Sequence, residues 1–228
     1  MADGNSSPSR WQSTGEKISN TFGRQALPMV WDFCEANPFC EATRSLISMF
    51  EWIAKVCEQN LAGGNPGHAS MASATKHPLP DDAAQAIVTD PPYYYSVQYA
   101  DLSDFFYVWL RRTVGDIYPE LFEPDQTPKP DEIIVQSPGH QFAAEGKNNS
   151  FYESRMSLAM KDSRRVLSPL GIGVVVFAHT STSAWESQIQ AMLDAGWIVT
   201  GSWPIDTEMA SRVIAQGRSV LASSIHLV

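Results

Sequence analysis

Positive charge is scarce in this sequence. Lys and Arg number 16 against 25 Asp and Glu, a formal net charge of −9. A broad basic surface for nucleic acid is therefore excluded, and only a small local basic face remains open. Long apolar runs are missing as well. None approaches the roughly 18 to 20 residues of a membrane-spanning helix, and the opening "MADGNSSPSR" holds no apolar signal-peptide core. An intracellular, cytoplasmic protein with no membrane partner is the expectation. Cysteine is rare: Cys34, Cys40 and Cys57 form neither an even set nor a close pair, and read as reduced thiols in or near a core. The histidines, His68, His77, His140, His179 and His226, lack H-x-x-x-H spacing, so no metal site is expected. No internal repeat is present.

What the chain does have is apolar material for a core. Its 228 residues, 43% hydrophobic and 11% aromatic, fit one sizeable α/β domain or a domain with an appendage. Residues 1–15 read as a disordered lead and residues 16–66 as a segment dominated by one helix, "TRSLISMFEWIAKVCEQN" at 43–60, which "LAGGNPG" terminates. The main unit spans 67–228. Within it a short strand is expected near 68–74 and a buried strand at "QAIVTD", 85–90. A helix follows from Tyr99 to Arg112, with Asp101 or Ser103 as cap. A long loop of about 113–150 is rich in Pro, Gly, Asn and acid, a length that is usually functional or disordered. The helix "FYESRMSLAMKDSRRVL" then ends at "SPLG", followed by the strand "GIGVVVFAH", the helix "TSTSAWESQIQAMLDAG", and the strands "WIVTGSWPI" and "SVLASSIHLV". This alternation predicts an α/β fold with a doubly wound, mostly parallel sheet. The last two strands, without a helical pattern between them, suit a hairpin with an antiparallel final strand.

The most informative stretch is "VTDPPYYYSVQYADLSDFFYVW", 88–109. A short apolar strand runs into Asp90, Pro91, Pro92 and Tyr93, and two prolines without N–H groups must end it. In open α/β sheets ligands bind beyond the carboxyl ends of the strands, which is where Asp90 falls. A carboxylate and a proline carbonyl are two acceptors suited to an exocyclic NH₂, and an aromatic face beside them can stack on the base that carries it.

In these residues the sequence resembles a known family. "DPPY" after a buried strand is similar to the catalytic motif of the amino-methyltransferases, which methylate adenine N6 or cytosine N4 with S-adenosylmethionine. The blocks "GEKISNTFGRQALPMVWDFCEANPF", "TDPPYYYSVQYADLSDFFYVWLRR" and "SWPIDTEMASR" resemble more closely the large bacterial and archaeal adenine-specific DNA methylases whose N-terminal part is a domain of unknown function. The resemblance runs from about residue 10 to 228, and the chain looks like the C-terminal portion of such an enzyme. It implies a Rossmann-like class I methyltransferase sheet, incomplete for want of its first strands, with an antiparallel last strand. It also implies S-adenosylmethionine as cofactor, DNA as substrate, and an upstream polypeptide that completes the cofactor site.

Carried over by position, Asp90, Pro91, Pro92 and Tyr93 are the implied catalytic residues. Asp90 and the Pro91 carbonyl would hold the amine, and Tyr93 would stack on the flipped base. On the cofactor side the resemblance implies Asp90 together with Ser73 and Thr75. In "SAT" at 73–75 the serine stands where relatives carry an Asp that reaches the cofactor adenine, and Tyr95 stands where an Asp is more usual. The family's glycine-rich loop is not found. Gly171 and Gly173 follow a helix and precede a strand, the wrong order for a nucleotide loop, and read as a turn.

Tyr94, Tyr95 and His179 are the substrate-side candidates, with a structural tyrosine pair and a capping histidine as the alternatives. Tyr99, Phe105, Phe106, Tyr107 and Trp109 read first as core at helical spacing. Asp206 and Glu208 read as a solvated loop or cap, and Asp32, Glu35 and Asn37 as possible neighbours of the cofactor. Three activities stay open: adenine-N6 methylation of DNA, methylation of an amine in RNA or protein, and an inactive fragment needing an upstream half.

Overall fold

A computed structural model of the chain describes residues 10–12, 17–19, 39–40, 45–60, 65, 67–68, 70–93, 98–136, 146–178, 182–205 and 224–228. The elements are β1 (Arg10–Gln12), β2 (Lys17–Ser19), α1 (Leu46–Asn60), β3 (Ala84–Thr89), α2 (Tyr99–Val114), a 3-10 turn (Pro119–Leu121), α3 (Asn149–Val166), β4 (Leu167–Phe177), α4 (Thr182–Asp194), β5 (Ser202–Ile205) and β6 (Ser224–Leu227). The chain divides into two units, Met1–Ser70 with Asp101–Pro119, and Met71–Ala100 with Glu120–Val228.

In the first unit β1 and β2 pair antiparallel, Trp11 opposite Ile18, a hairpin that crosses the boundary expected at residue 15. The Ser45 hydroxyl accepts from the Ser48 N–H at 3.2 Å and starts α1, as a side-chain oxygen does at a helix N-terminus. No side chain of α1 is buried.

The second unit is an open α/β layer with the strand order β3-β4-β6-β5. β3 and β4 are parallel, with Thr89 opposite Val175. β6 runs antiparallel to both β4 and β5, so the last strand is reversed, as expected. α3 and α4 pack against each other and share one core with the sheet: Tyr152, Met156, Met160, Ala184, Ala191 and Met192 meet Val175, Phe177 and Leu227. On the opposite face Val88, Ile172 and Trp203 are exposed. Within this unit, then, α3 and α4 lie on one face of the sheet, and no doubly wound arrangement is seen among its described residues.

Several boundaries differ from expectation for local physical reasons. The described residues of 68–74 form no strand, since the Ser73 hydroxyl accepts the Thr75 N–H and makes a turn instead. α2 begins at Tyr99, ahead of Asp101 and Ser103, because the Glu132 carboxylate accepts the Ala100 N–H at 3.0 Å from the far side of the loop. β4 begins at Leu167, so "SPLG" lies inside it. Its register with β3 jumps from Ala84–Leu167 to Ala86–Ile172, a bulge that places Leu170 in solvent. Gly171 and Gly173 are thus strand residues rather than a turn. A Cβ at Gly173 would lie 1.8 Å from the Trp197 ring, so glycine is required there by close packing. α4 stops, as expected, just before Gly196 (φ +83). The Gly196 N–H donates to the Leu193 carbonyl and the Trp197 N–H to that of Met192, a Schellman motif. Trp197 is thereby turned into the core, where its indole N–H donates to the Met160 carbonyl at 3.0 Å. β5 consequently starts only at Ser202.

Candidate functional site

Asp90 follows the last residue of β3. The strand's buried side is continued by Val175 and Phe177 on the parallel neighbour β4, and Phe177 is wholly buried. Asp90 itself is exposed, Pro91 is buried, and Pro92 and Tyr93 are half-buried. Neither proline can join a ladder, so the chain leaves the sheet at this point and turns across Phe177. The Tyr93 ring meets the Phe177 ring edge-on, with centroids 5.3 Å apart at 83°. Phe177 meets Trp185 of α4 in the same way, 4.8 Å apart at 88°, a geometry that aromatic quadrupoles favour. The Tyr93 hydroxyl donates to one oxygen of the Asp90 carboxylate at 3.2 Å.

A second tyrosine holds the turn from below. Tyr152 lies in the first turn of α3, whose start is fixed by Asn148, its side-chain oxygen accepting from the Phe151 N–H at 2.9 Å. Only 2% of Tyr152 is exposed, and its hydroxyl donates to the Pro92 carbonyl at 2.6 Å. The loop between α2 and α3 is anchored nearby. The buried Lys147 ammonium donates to the carbonyls of Lys129 and Glu132, and the Thr127 hydroxyl donates to the Ala100 carbonyl. Together with the Glu132 cap on Ala100, these contacts tie the loop to the start of α2.

The structure therefore brings Asp90, Pro91, Pro92 and Tyr93 together at one strand end. Ser73 and Thr75 lie elsewhere. Their hydroxyls are 2.9 Å apart and exposed, in a segment that leads to the opposite, amino end of β3. There the Arg165 guanidinium donates to the carbonyls of His77 and Leu79 and pairs with Asp81 and Asp162. The Asp162 carboxylate also accepts the His77 N–H, and the Asp82 N–H donates to the Arg165 carbonyl. The hydrogen bond from Arg165 holds the Asp162 carboxyl below its ordinary range, and these carboxylates raise Arg165 above its own. Tyr94, Tyr95, His179, Asp206, Glu208, Asp32, Glu35 and Asn37 lie outside the described residues.

Sequence reasoning missed Tyr152, Phe177, Trp185, Lys147 and Glu132. The only signal for Tyr152 was its place in the i, i+4 apolar row with Met156 and Met160. A shallow groove between α3 and α4 is lined by Glu153, Glu186 and Asp194 and contains none of the expected site residues.

Nor do the described residues build a nucleotide-type cradle. Such a cradle needs a glycine-rich turn between a strand and a helix N-terminus, whereas Gly171 and Gly173 lie within β4 with Trp197 packed against one of them. What the site offers is an exposed carboxylate, a turn fixed through its carbonyl side, and an aromatic ring beside both. No helix among the described residues is long and apolar enough to cross a membrane. No protein-family model matches the chain, and no curated protein matches it at a significant level of similarity.

Proposed function

We propose that this chain is the amine-holding part of an S-adenosylmethionine-dependent amino-methyltransferase acting on adenine N6 in DNA. The observation that carries this reading is the exposed Asp90 at the carboxyl end of a parallel strand, joined by two prolines to an aromatic ring. Asp90 and the Pro91 carbonyl accept the two N–H groups of a planar amine and turn its lone pair out of the ring plane. The carboxylate stabilises positive charge that develops on that nitrogen, so alignment and preorganised electrostatics carry the catalysis. No strong base is required, because the amine loses its proton after it has reacted. The Tyr93 ring supplies the stacking surface for a base swung out of the helix. The antiparallel final strand also agrees with a class I methyltransferase sheet.

S-adenosylmethionine would supply the methyl group. The described residues do not form its cradle, and we assign that cradle to an upstream polypeptide. In support, β3 ends the order of the four-stranded sheet among the described residues, and Val88 and Ile172 on one sheet face are exposed, whereas parallel strands are ordinarily covered on both faces. The isolated chain then binds the cofactor at millimolar strength at best, about −4 kcal/mol.

The test is transfer of labelled methyl from S-adenosylmethionine to DNA, RNA and protein, with and without the upstream polypeptide. Transfer to DNA adenine that requires that polypeptide is the expected result. Transfer only to RNA or protein would move the activity to another planar amine, and none at all with the polypeptide present would reject the assignment. Micromolar cofactor binding by the isolated chain, measured by calorimetry, would mean that a complete site lies within it.

A further inference from the structure

We propose that Tyr152 is a positioning residue for the Asp90–Tyr93 site, acting through its hydroxyl on the Pro92 carbonyl; this rests on the reading of the site as an amine-holding centre. The Pro91–Pro92 step has no backbone N–H, so the turn can be fixed from outside only through its carbonyls and by packing. Tyr152 supplies the carbonyl contact at 2.6 Å, across 60 residues of sequence. The donor is rigid. Its ring belongs to the central core cluster with Met156 and Met160, and its helix start is capped by Asn148. A buried tyrosine O–H needs an acceptor, so breaking this bond costs the core as well as the turn. The contact commits the Pro92 carbonyl to α3. It thereby sets the direction of the Pro91 carbonyl, one peptide earlier, and of Asp90, the two acceptors assigned to the amine. Phe177 supports the turn from the other side through Tyr93. The site is thus held at two points by core residues from different elements, while Asp90 stays exposed.

Tyr152→Phe keeps the ring and removes only the hydroxyl. The sequence contains a single Pro-Tyr step, Pro92–Tyr93, so a chain labelled with carbon-13 at proline carbonyls and nitrogen-15 in tyrosine gives one carbonyl-to-amide correlation. In Tyr152→Phe the Pro92 carbonyl carbon should move upfield, as it does when a hydrogen bond is lost. With the upstream polypeptide supplied, kcat should fall between about tenfold and a hundredfold, with KM for DNA nearly unchanged. An unmoved carbonyl overturns the inference, as does a moved carbonyl with unchanged kcat, or a loss of rate that only tracks a smaller folded fraction. Should Tyr152→Phe fail to fold, the wild-type signal is compared with its position in urea: a downfield folded-state position upholds the bond, and coincidence overturns the inference. Asp90→Ala in the same assay separates the two claims. If Asp90→Ala retains wild-type turnover, or the wild type transfers nothing, the amine-holding reading fails and the inference fails with it. If Asp90→Ala is inactive while Tyr152→Phe equals wild type, only the role of Tyr152 falls.

Discussion

At its amino end β3 is preceded by a chain that Arg165 ties down with charged contacts open to water. At its carboxyl end it runs into a turn that Tyr152 and Phe177 hold from within the core. Asp81 is 74% exposed in its ion pair, whereas Tyr152 and Phe177 are 2% and 0% exposed. The first arrangement fixes the path of a connection, and exposed ion pairs of this kind contribute little and weaken with salt. The second fixes atoms without spending charge. A site that must present a carboxylate to a ligand gains from the second kind of support, because neutral buried groups hold the turn and leave the carboxylate exposed.

The sharpest way to break this comparison is to remove one support at each end. Phe177→Ala takes away a fully buried ring that touches both Tyr93 and Trp185, and should destabilise the protein by about 3–5 kcal/mol. Asp81→Ala at the other end should leave stability close to wild type. Denaturant titration of both variants measures the contrast, and equal losses would mean that the ionic staple carries as much of the fold as the aromatic one.

Asp90→Ala comes next, and its effect should appear in activity alone. Loss of a preorganised polar partner of the reacting group costs about 10²–10³ in turnover. Asp90 is exposed, so its removal should leave the unfolding midpoint near that of the wild type. A variant that loses stability together with activity would make Asp90 a structural cap of the strand end, and would narrow the difference between the two ends.

How much of this was legible before the structure follows from what each element depends on. α1, α3, α4 and β3 were readable because their apolar spacing is local, and the end of α4 because Gly196 marks it. The start of β4 is not legible in this way: Pro169 and Gly171 signal a turn, yet the chain bulges and resumes its pairing with β3, which no local signal encodes. The cap of α2 is hidden for the same reason, since Glu132 reaches Ala100 from 32 residues away. Of the candidate site, Asp90 to Tyr93 are legible because they are contiguous. The Tyr152 contact is not, because it exists only once α3 has folded under a turn 60 residues upstream.

Tyr93 sharpens the comparison at the carboxyl end. Its hydroxyl bonds Asp90 while its ring leans on Phe177, so the two contacts can be removed separately. Tyr93→Phe keeps the ring contact and the stacking surface, and should retain most of the turnover. Tyr93→Ala loses both, which on the proposed function costs about 1–3 kcal/mol in binding of the extruded base. Single-turnover kinetics on the two variants give the order, and an equal loss in Tyr93→Phe and Tyr93→Ala would shift the role of this residue from its ring to its hydroxyl, which both variants lack.

The smallest effect belongs to the amino end and appears in acid. The hydrogen bond from Arg165, helped by the His77 N–H, holds the Asp162 carboxyl below its ordinary range against the opposing effect of burial. A carboxyl whose pKa is lower folded than unfolded contributes stability that is fully present above the unfolded value, about 3.9, and is lost as pH falls through the folded one. Thermal unfolding of wild type and Asp162→Asn should therefore show the wild type slightly more stable near neutral pH. The gap should close as the pH drops below about 4. It should also narrow in high salt, since the Arg165–Asp162 pair is partly open to solvent. The carboxyl-end contrast between Phe177→Ala and wild type should change far less with salt, because no charge is involved there. If the Asp162 gap persists unchanged in both acid and salt, the amino end is held by packing rather than charge, and the two ends of β3 are supported in the same way.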